Sequence, residues 1–303
     1  MEFRIHFYAH NILILGAGAS MEYGLPNWDQ LAELIKEKIS NDHEGKYTHK
    51  EEMLEWVKDV GRENKKYTTI DECISQESVV GPHSDQGHHI ENQIFLVIKD
   101  VFNERYLQNS TGWIEQLNKK ILTDRVNKPE QKMVFINYNY DQVLLNHFLN
   151  FSYLKPKQRE YLHGKSLSEL SDFIAGAFYP HGSLYSRKEL NSTLHISRTI
   201  DTIKTNNKNG HLDAVSCHDS EPHSIITDSF KTPRNLFLLG LGGGLELNLK
   251  KLTFKFPISS IHVTVKDKKK LEEVLKILSE RFTIPPSQIT VYDSCEDLIQ
   301  KCF

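Results

Sequence analysis

Five short runs of apolar residues are the clearest pattern along the chain. Most are apolar at successive positions, which is typical of strands in a parallel sheet that is covered on both faces. Segments with a helical apolar repeat lie between them, for example residues 28–40 and 268–282. This alternation of strands and helices predicts an α/β fold with a Rossmann-like, doubly wound parallel sheet. The five runs are ILIL (12–15), MVFI (133–136), LFLL (236–239), IHVTV (261–265) and ITVY (289–292).

The first two runs are separated by more than a hundred residues, which exceeds what one crossover connection needs. This interval has helical patterns of its own, such as residues 90–106. We therefore interpret residues 1–303 as a single domain that carries a mainly helical insertion at residues 40–130. Residues 190–230 are weakly periodic and rich in Asn, Asp, Ser and His, and are expected to form a long surface loop.

The first run leads into the sequence GAGAS at residues 16–20. Its two glycines allow a tight turn and a close approach of the backbone to a ligand, and unpaired amides in such a turn bind a diphosphate. The spacing G-x-G-x-S matches only half of the dinucleotide fingerprint, so a structural turn stays open as the alternative to a nucleotide site. The next helix is predicted to start at Trp28, after a capping box formed by Asn27 and Gln30.

Polar residues follow the second run, in the sequence NYNYD at residues 137–141. Doubly wound sheets bind ligands at the carboxyl ends of their strands, so Asn139 and Asp141 are candidates for a binding site. A polar turn at the end of the strand is the alternative interpretation.

His181 lies in the loop sequence HGS and is a candidate for acid–base chemistry. The choice is not unique, because His163 lies in the similar sequence HGKS. A second glycine turn follows the third apolar run at residues 240–244. Two glycine turns on one sheet are less expected from packing alone, which favours a ligand site.

Composition narrows the class of protein. The net charge of −3 gives no general attraction to nucleic acid or to an anionic membrane. The first residues lack the features of a signal peptide, and no apolar run approaches the length that spans a bilayer, so we expect a cytoplasmic protein. The four cysteines include no C-x-x-C pair, and the His-rich segments at 83–91 and 217–223 match no ligand spacing, so no metal is predicted.

Four motifs resemble, in order and rough spacing, those of the sirtuin-like family. They are GAGAS with GLPNW (residues 16–28), NYNYD (137–141), YPHGSL (179–184) and LLGLGGG (238–244). The resemblance extends from residue 11 to about residue 265, although the helical insertion matches little of it. It implies a Rossmann-like domain that binds NAD+.

The chain departs from the deacylating members of that family in two places. Those proteins carry a four-cysteine zinc ribbon between the H-G-S motif and the late glycine turn, where this chain has only Cys217. They also have an arginine after the aromatic residue of the first motif, where this chain has Asp29. Both departures are similar to the bacterial defence-associated members, for which the implied activity is cleavage of NAD+.

The resemblance implies roles for individual residues. Asn139 would orient water or the ribose, His181 would act as the general base, and Asp141 would hold the ribose or the neighbouring loop. The first glycine turn would hold the diphosphate, and the second would lie near the adenosine. The residues implied to bind NAD+ are Gly16, Ala17, Gly18, Ser20, Pro26, Trp28, Gly240, Gly242 and Gly243.

The implied function is that of an NAD+ glycohydrolase, which releases nicotinamide and ADP-ribose and depletes NAD+ in anti-phage defence. NAD+ is then a substrate, and no metal takes part. Two alternatives stay open: a regulatory subunit that senses NAD or ADP-ribose without turnover, and a divergent NAD-dependent protein deacylase. The chain leaves little room for a sensor domain, so the resemblance implies a homo-oligomer that is controlled by a HerA-type ATPase or an Argonaute-like protein. No direct contact with nucleic acid or membrane is expected.

Overall fold

The computed structural model of the chain describes residues 3–6, 11–61, 65–67, 70, 73–74, 84–107, 111–124, 133–148, 174–179, 184, 204–206, 211–213, 223–226, 234–242, 249, 252–254 and 256–303. Its strands are β1 (Phe3–His6), β2 (Asn11–Leu15), β3 (Met133–Asn137), β4 (Ile174–Phe178), β5 (Lys204–Asn206), β6 (His211–Asp213), β7 (His223–Ile226), β8 (Arg234–Leu239), β9 (Leu252–Phe254), β10 (Ile258–Thr264) and β11 (Ile289–Tyr292). Its helices are α1 (Trp28–Ser40), α2 (Lys50–Lys58), α3 (Ser84–Arg105), α4 (Trp113–Asp124), α5 (Val143–His147), α6 (Leu271–Phe282) and α7 (Cys295–Cys302).

A six-stranded sheet in the order β11-β10-β8-β2-β3-β4 is the centre of the fold. Every neighbouring pair in it is parallel. Among the strands of this sheet, β2 comes first along the chain and lies in the middle, and later strands are added outward on both sides. This is the strand order of a Rossmann-like doubly wound sheet, so the predicted fold class is confirmed.

The five apolar runs form five of the six strands, and the sixth was not predicted. This strand, β4, has the sequence IAGAF and pairs with β3 at the edge of the sheet. Glycine and alanine contribute little apolar area, so the segment lacks the strong signal of the other strands. Its position extends the sheet on the side where Asn139 follows β3.

Successive residues of the central strands pack into two separate cores, which explains their unbroken apolar sequence. Leu13 and Phe135 lie in the core that contains Trp113 of α4. Ile12 packs on the opposite face, with Leu278 of α6. Each of these side chains is at most 2 % exposed, and burial of such a side chain stabilises the fold by about 1.5–3 kcal/mol.

All three helices expected from the sequence are present, with differences at two of their starts. The capping box at the start of α1 is present, because Asn27 Oδ1 accepts from the Gln30 amide at 2.9 Å and Gln30 Oε1 accepts from the Asn27 amide at 3.0 Å. The helix expected at residues 90–106 starts earlier, at Ser84. The helix expected at residues 268–282 begins with a 3₁₀ turn, and α6 itself starts at Leu271.

Residues 190–230 were expected to form a long irregular loop. The short strands β5, β6 and β7 lie within this stretch, and β7 pairs with β1. The rest of the stretch lies outside the described residues. None of the helices in the described part of the chain is long and apolar enough to cross a membrane.

Candidate functional site

The two glycine turns meet at the point where the strand order of the sheet reverses. β2 and β8 are parallel neighbours, and their last residues, Leu15 and Leu239, lie side by side. The amide of Gly16 donates to the carbonyl of Leu239 at 2.9 Å, and the amide of Gly18 donates to the carbonyl of Gly240 at 2.8 Å. Doubly wound folds bind ligands in the crevice outside this point, so both turns lie at the expected edge.

Close packing of one turn on the other requires the glycines. A Cβ atom on Gly16 would lie 2.7 Å from the carbonyl oxygen of Gly240, and one on Gly18 would lie 2.9 Å from the Cα of Gly240. Gly240 has a φ of 64°, and a Cβ there would lie 2.0 Å from the Ala19 amide nitrogen. Because the Gly18 amide already binds a protein carbonyl, a diphosphate at this turn has to use other donors.

Gly242 differs from the other predicted glycines. It is exposed and has a φ of 51°, but no atom of the described residues lies within 4 Å of the place where its Cβ would be. Its backbone conformation favours glycine, whereas the described part of its surroundings does not require one.

A 3₁₀ segment, Ala17–Tyr23, follows the first glycine turn and carries Ser20, which is buried. It ends at Gly24, whose φ of 83° and close approach to the carbonyl of Arg105 leave no space for a side chain. Trp113 of α4 supports the segment, because its indole Nε1 donates to the Ala19 carbonyl at 2.8 Å. The helices between β2 and β3 thus fix the position of the first glycine turn.

Asn139 connects the end of β3 to the first glycine turn. Its Nδ2 donates to the Gly16 carbonyl at 2.9 Å and lies 3.0 Å from the Ser20 hydroxyl oxygen, to which it also donates. Its Oδ1 is buried and has no hydrogen-bond partner in the described part of the chain. Buried side-chain carbonyls are usually hydrogen-bonded, so this oxygen is a candidate contact for a ligand or for water.

Asp141 is 3 % exposed, and its Oδ1 accepts from the Val143 amide at 2.9 Å. Burial raises the pKa of its carboxyl to about 6, although hydrogen bonds from Ser20 and Val143 act in the opposite direction. A buried carboxyl with a raised pKa, lining a pocket at a strand end, is a candidate functional group. Its neighbour Gln142 has a buried Oε1 without a partner in the described chain, which adds a second acceptor near the site.

A narrow pocket of about 10 Å³ lies between the first glycine turn and the end of β3. This volume accommodates about one water molecule. A groove of about 600 Å³ lies next to it and shares Leu25 and Pro26 as a common wall. The residues that line the pocket are Ala17, Leu25, Pro26, Leu31, Phe102, Asn139, Tyr140 and Asp141.

The structure therefore brings together four of the residues predicted for the site, which line one pocket. They are Ala17, Pro26, Asn139 and Asp141. Ser20 joins them through its hydrogen bond with Asn139.

Several other residues predicted for the site are not described by the structure. His181, the alternative His163, and Gly243 lie outside the described residues, as does the side chain of Trp28. Leu184, three positions after His181 in sequence, is buried and its amide donates to the Tyr140 carbonyl at 3.0 Å. Leu184 is thus attached to the residue between Asn139 and Asp141.

Sequence analysis missed a pair close to the site, formed by the part-buried Glu115 of α4 and the buried His147 of α5. The two residues lie 32 positions apart and belong to no motif, so only the fold brings them together. Among the described residues, no group of three or more His, Cys, Asp or Glu side chains is arranged to hold a metal ion. No protein-family model and no curated protein matches this chain.

Proposed function

We propose that this chain is a sirtuin-like NAD+ glycohydrolase, which cleaves the nicotinamide–ribose bond to give nicotinamide and ADP-ribose. One observation carries the proposal. Asn139 and Asp141 line one pocket beside the first glycine turn, at the carboxyl edge of a doubly wound sheet, and the Oδ1 of Asn139 is buried without a hydrogen-bond partner among the described residues. The motif order described above supports the same family.

The chemistry of the pocket suits nicotinamide. Ala17, Leu25 and Pro26 provide an apolar wall for an aromatic ring, while Asn139 and Asp141 provide polar groups for a carboxamide or a ribose hydroxyl. The pocket has to widen before a ring can enter, because about 10 Å³ accommodates only a water molecule. The adjoining groove offers space into which the shared wall of Leu25 and Pro26 can move.

The reaction is a hydrolysis. The electron pair of the glycosidic C–N bond goes to the pyridinium nitrogen, which leaves as neutral nicotinamide, and the ribose C1′ develops oxocarbenium character. A water molecule adds to C1′ and loses a proton to a general base, for which His181 is the proposed residue. Asn139 orients the water or the ribose, and its hydrogen bonds to Gly16 and Ser20 fix the position of its amide.

Replacement of the proposed residues tests this function. We expect His181→Ala and Asn139→Ala each to abolish the loss of NAD+, measured by chromatography of nicotinamide and ADP-ribose, while thermal unfolding shows that both variants are folded. His163→Ala is the matched control and should keep its activity. Full hydrolysis by both variants would contradict the assignment, and loss of activity in His163→Ala alone would make His163 the base.

A sensor subunit that binds NAD or ADP-ribose without turnover is the second candidate function. The narrow pocket is compatible with either candidate, and it supports control by a partner, since a chain that is inactive until a partner acts would have a closed site. We propose control by oligomerisation with a HerA-type ATPase or an Argonaute-like protein, and a role in anti-phage defence. Incubation of the protein with NAD+, alone and with proteins encoded next to it, separates the candidates: nucleotide binding without product in every combination would favour the sensor.

A further inference from the structure

Glu115 binds two parts of the chain that meet at the candidate site. Its Oε2 accepts from the Tyr23 hydroxyl at 2.8 Å and from the Gly112 amide at 2.8 Å. Its Oε1 pairs with Nδ1 of His147. One carboxylate, 12 % exposed, therefore contacts the end of the 3₁₀ segment and the end of α5.

Glu115 makes these two contacts with the last residues of two elements that belong to the candidate site. Tyr23 closes the segment Ala17–Tyr23, which carries Ser20. His147 closes α5, a helix of only five residues, whose first amide binds Asp141. Ser20 and Asp141 are far apart in sequence, and Glu115 connects the segments that present them.

The surroundings of His147 keep this arrangement in one geometry. Its side chain is 0 % exposed, and its Nε2 lies 2.6 Å from the Tyr106 hydroxyl. The Tyr23 ring packs against the imidazole with a centroid distance of 4.5 Å, and the His147 carbonyl accepts from Asn118 Nδ2 at 2.8 Å. A buried polar network whose members are all bonded rigidifies its surroundings.

We infer that Glu115 and His147 form a positioning pair, which holds the segments of Ser20 and Asp141 in the geometry that the nucleotide site requires. The inference rests on the proposed function for its ligand, ADP-ribose. Neither Glu115 nor His147 is among the residues that line the pocket, so the pair acts through Tyr23 and through α5.

The charge of Glu115 supports its role as a positioning residue. Burial raises the pKa of Glu115, but hydrogen bonds from His147, Gly112 and Tyr23 outweigh this effect, and the pKa lies below its ordinary value. The carboxylate is thus ionised at neutral pH, which strengthens the bonds it accepts. Glu115→Gln keeps the size of the side chain and removes the charge, so it weakens these bonds without leaving a cavity.

Hydrogen exchange tests the pair without any ligand. In Glu115→Gln we expect faster amide exchange in residues 17–23 and 143–147, with little change in α6. Glu296→Gln is the matched control. Glu296 is an exposed residue of α7 that pairs with Gln116, the neighbour of Glu115 on α4, and it has no hydrogen bond to Tyr23 or His147 among the described residues. Unchanged exchange in both segments, or the same increase throughout the chain, would overturn the inference.

A double-mutant cycle then tests positioning at the site. We expect Glu115→Gln to weaken ADP-ribose binding about tenfold in the natural chain and less than about twofold in an Asp141→Asn background. Equal losses in both backgrounds would identify a general structural role and overturn the inference. If the natural protein binds no ADP-ribose, the proposed function fails, and the exchange experiment still decides whether the pair positions the two segments.

Discussion

Asp141 is a buried carboxyl whose pKa is raised. Its carboxyl is almost inaccessible, and its pKa is raised from 3.8 to about 6, chiefly by burial. The folded chain therefore binds this proton more tightly than the unfolded chain does. The resulting stabilisation is full below about pH 4 and is lost as the pH rises through about 6, because the ionised carboxylate is costly in its buried site.

Asp141→Asn removes this titration and keeps an oxygen that accepts from Val143. We expect the free energy of unfolding of the variant, relative to that of the natural protein, to rise by about 2 kcal/mol between about pH 4.5 and about pH 8. Urea unfolding at the two pH values measures it. Asp42→Asn is the control. The pKa of Asp42 is lowered to about 2 by Lys50 and by backbone amides. The difference in free energy of unfolding between this variant and the natural protein should therefore stay nearly constant over this pH range. A constant difference for Asp141→Asn would contradict the raised pKa.

At the level of the element, the second glycine turn allows the effect of close packing to be distinguished from the effect of backbone strain. Gly240 and Gly242 both have positive φ, but only Gly240 lies against the first glycine turn. The first glycine turn thus depends on the second for its position, and the two form one unit at the end of the central strands.

Gly240→Ala should destabilise the fold by more than about 3 kcal/mol, since a Cβ would lie 2.0 Å from the Ala19 amide nitrogen. Gly242→Ala should cost about 1–2 kcal/mol, the strain of the left-handed backbone alone. Urea unfolding of both variants, with thermal melting as a second measurement, provides the comparison. Similar losses of unfolding free energy in Gly240→Ala and Gly242→Ala would show that the two glycine turns do not pack as described.

At the scale of the whole molecule, the candidate site depends on distant parts of the chain. Its pocket takes residues from the segment after β2, from α1 and α3, and from the end of β3. A ligand that binds there connects the central sheet with the helices that precede β3. We therefore expect the ligand to stabilise the whole chain against unfolding.

ADP-ribose at a hundred times its dissociation constant should stabilise the protein by about 2.7 kcal/mol. Tryptophan fluorescence and far-ultraviolet circular dichroism should report the same upward shift of the melting temperature. Asn139→Ala should show no shift under the same conditions. A shift in only one of the two signals would mean that ligand binding stabilises only part of the molecule.

Much of the architecture could be predicted from the sequence because it depends on local apolar patterns. Five central strands and the cap of α1 were predicted in this way, and Asn139 and Asp141 were found from their position after a strand. β4 was missed because alanine and glycine give little hydrophobic signal. The packing of Gly18 on Gly240, and the pair of Glu115 and His147, join residues that only tertiary structure brings together, so no local pattern could indicate them.

The central position of β2 also has a consequence for biosynthesis. Its neighbour β8 contributes Asn235, which lies 224 positions from its partner Asn11. Until the ribosome has made that later strand, one edge of the apolar strand β2 lacks its partner. Such long-range pairing slows folding and exposes a strand edge to aggregation. The chain should therefore depend on chaperones during translation more than a helical protein of equal length.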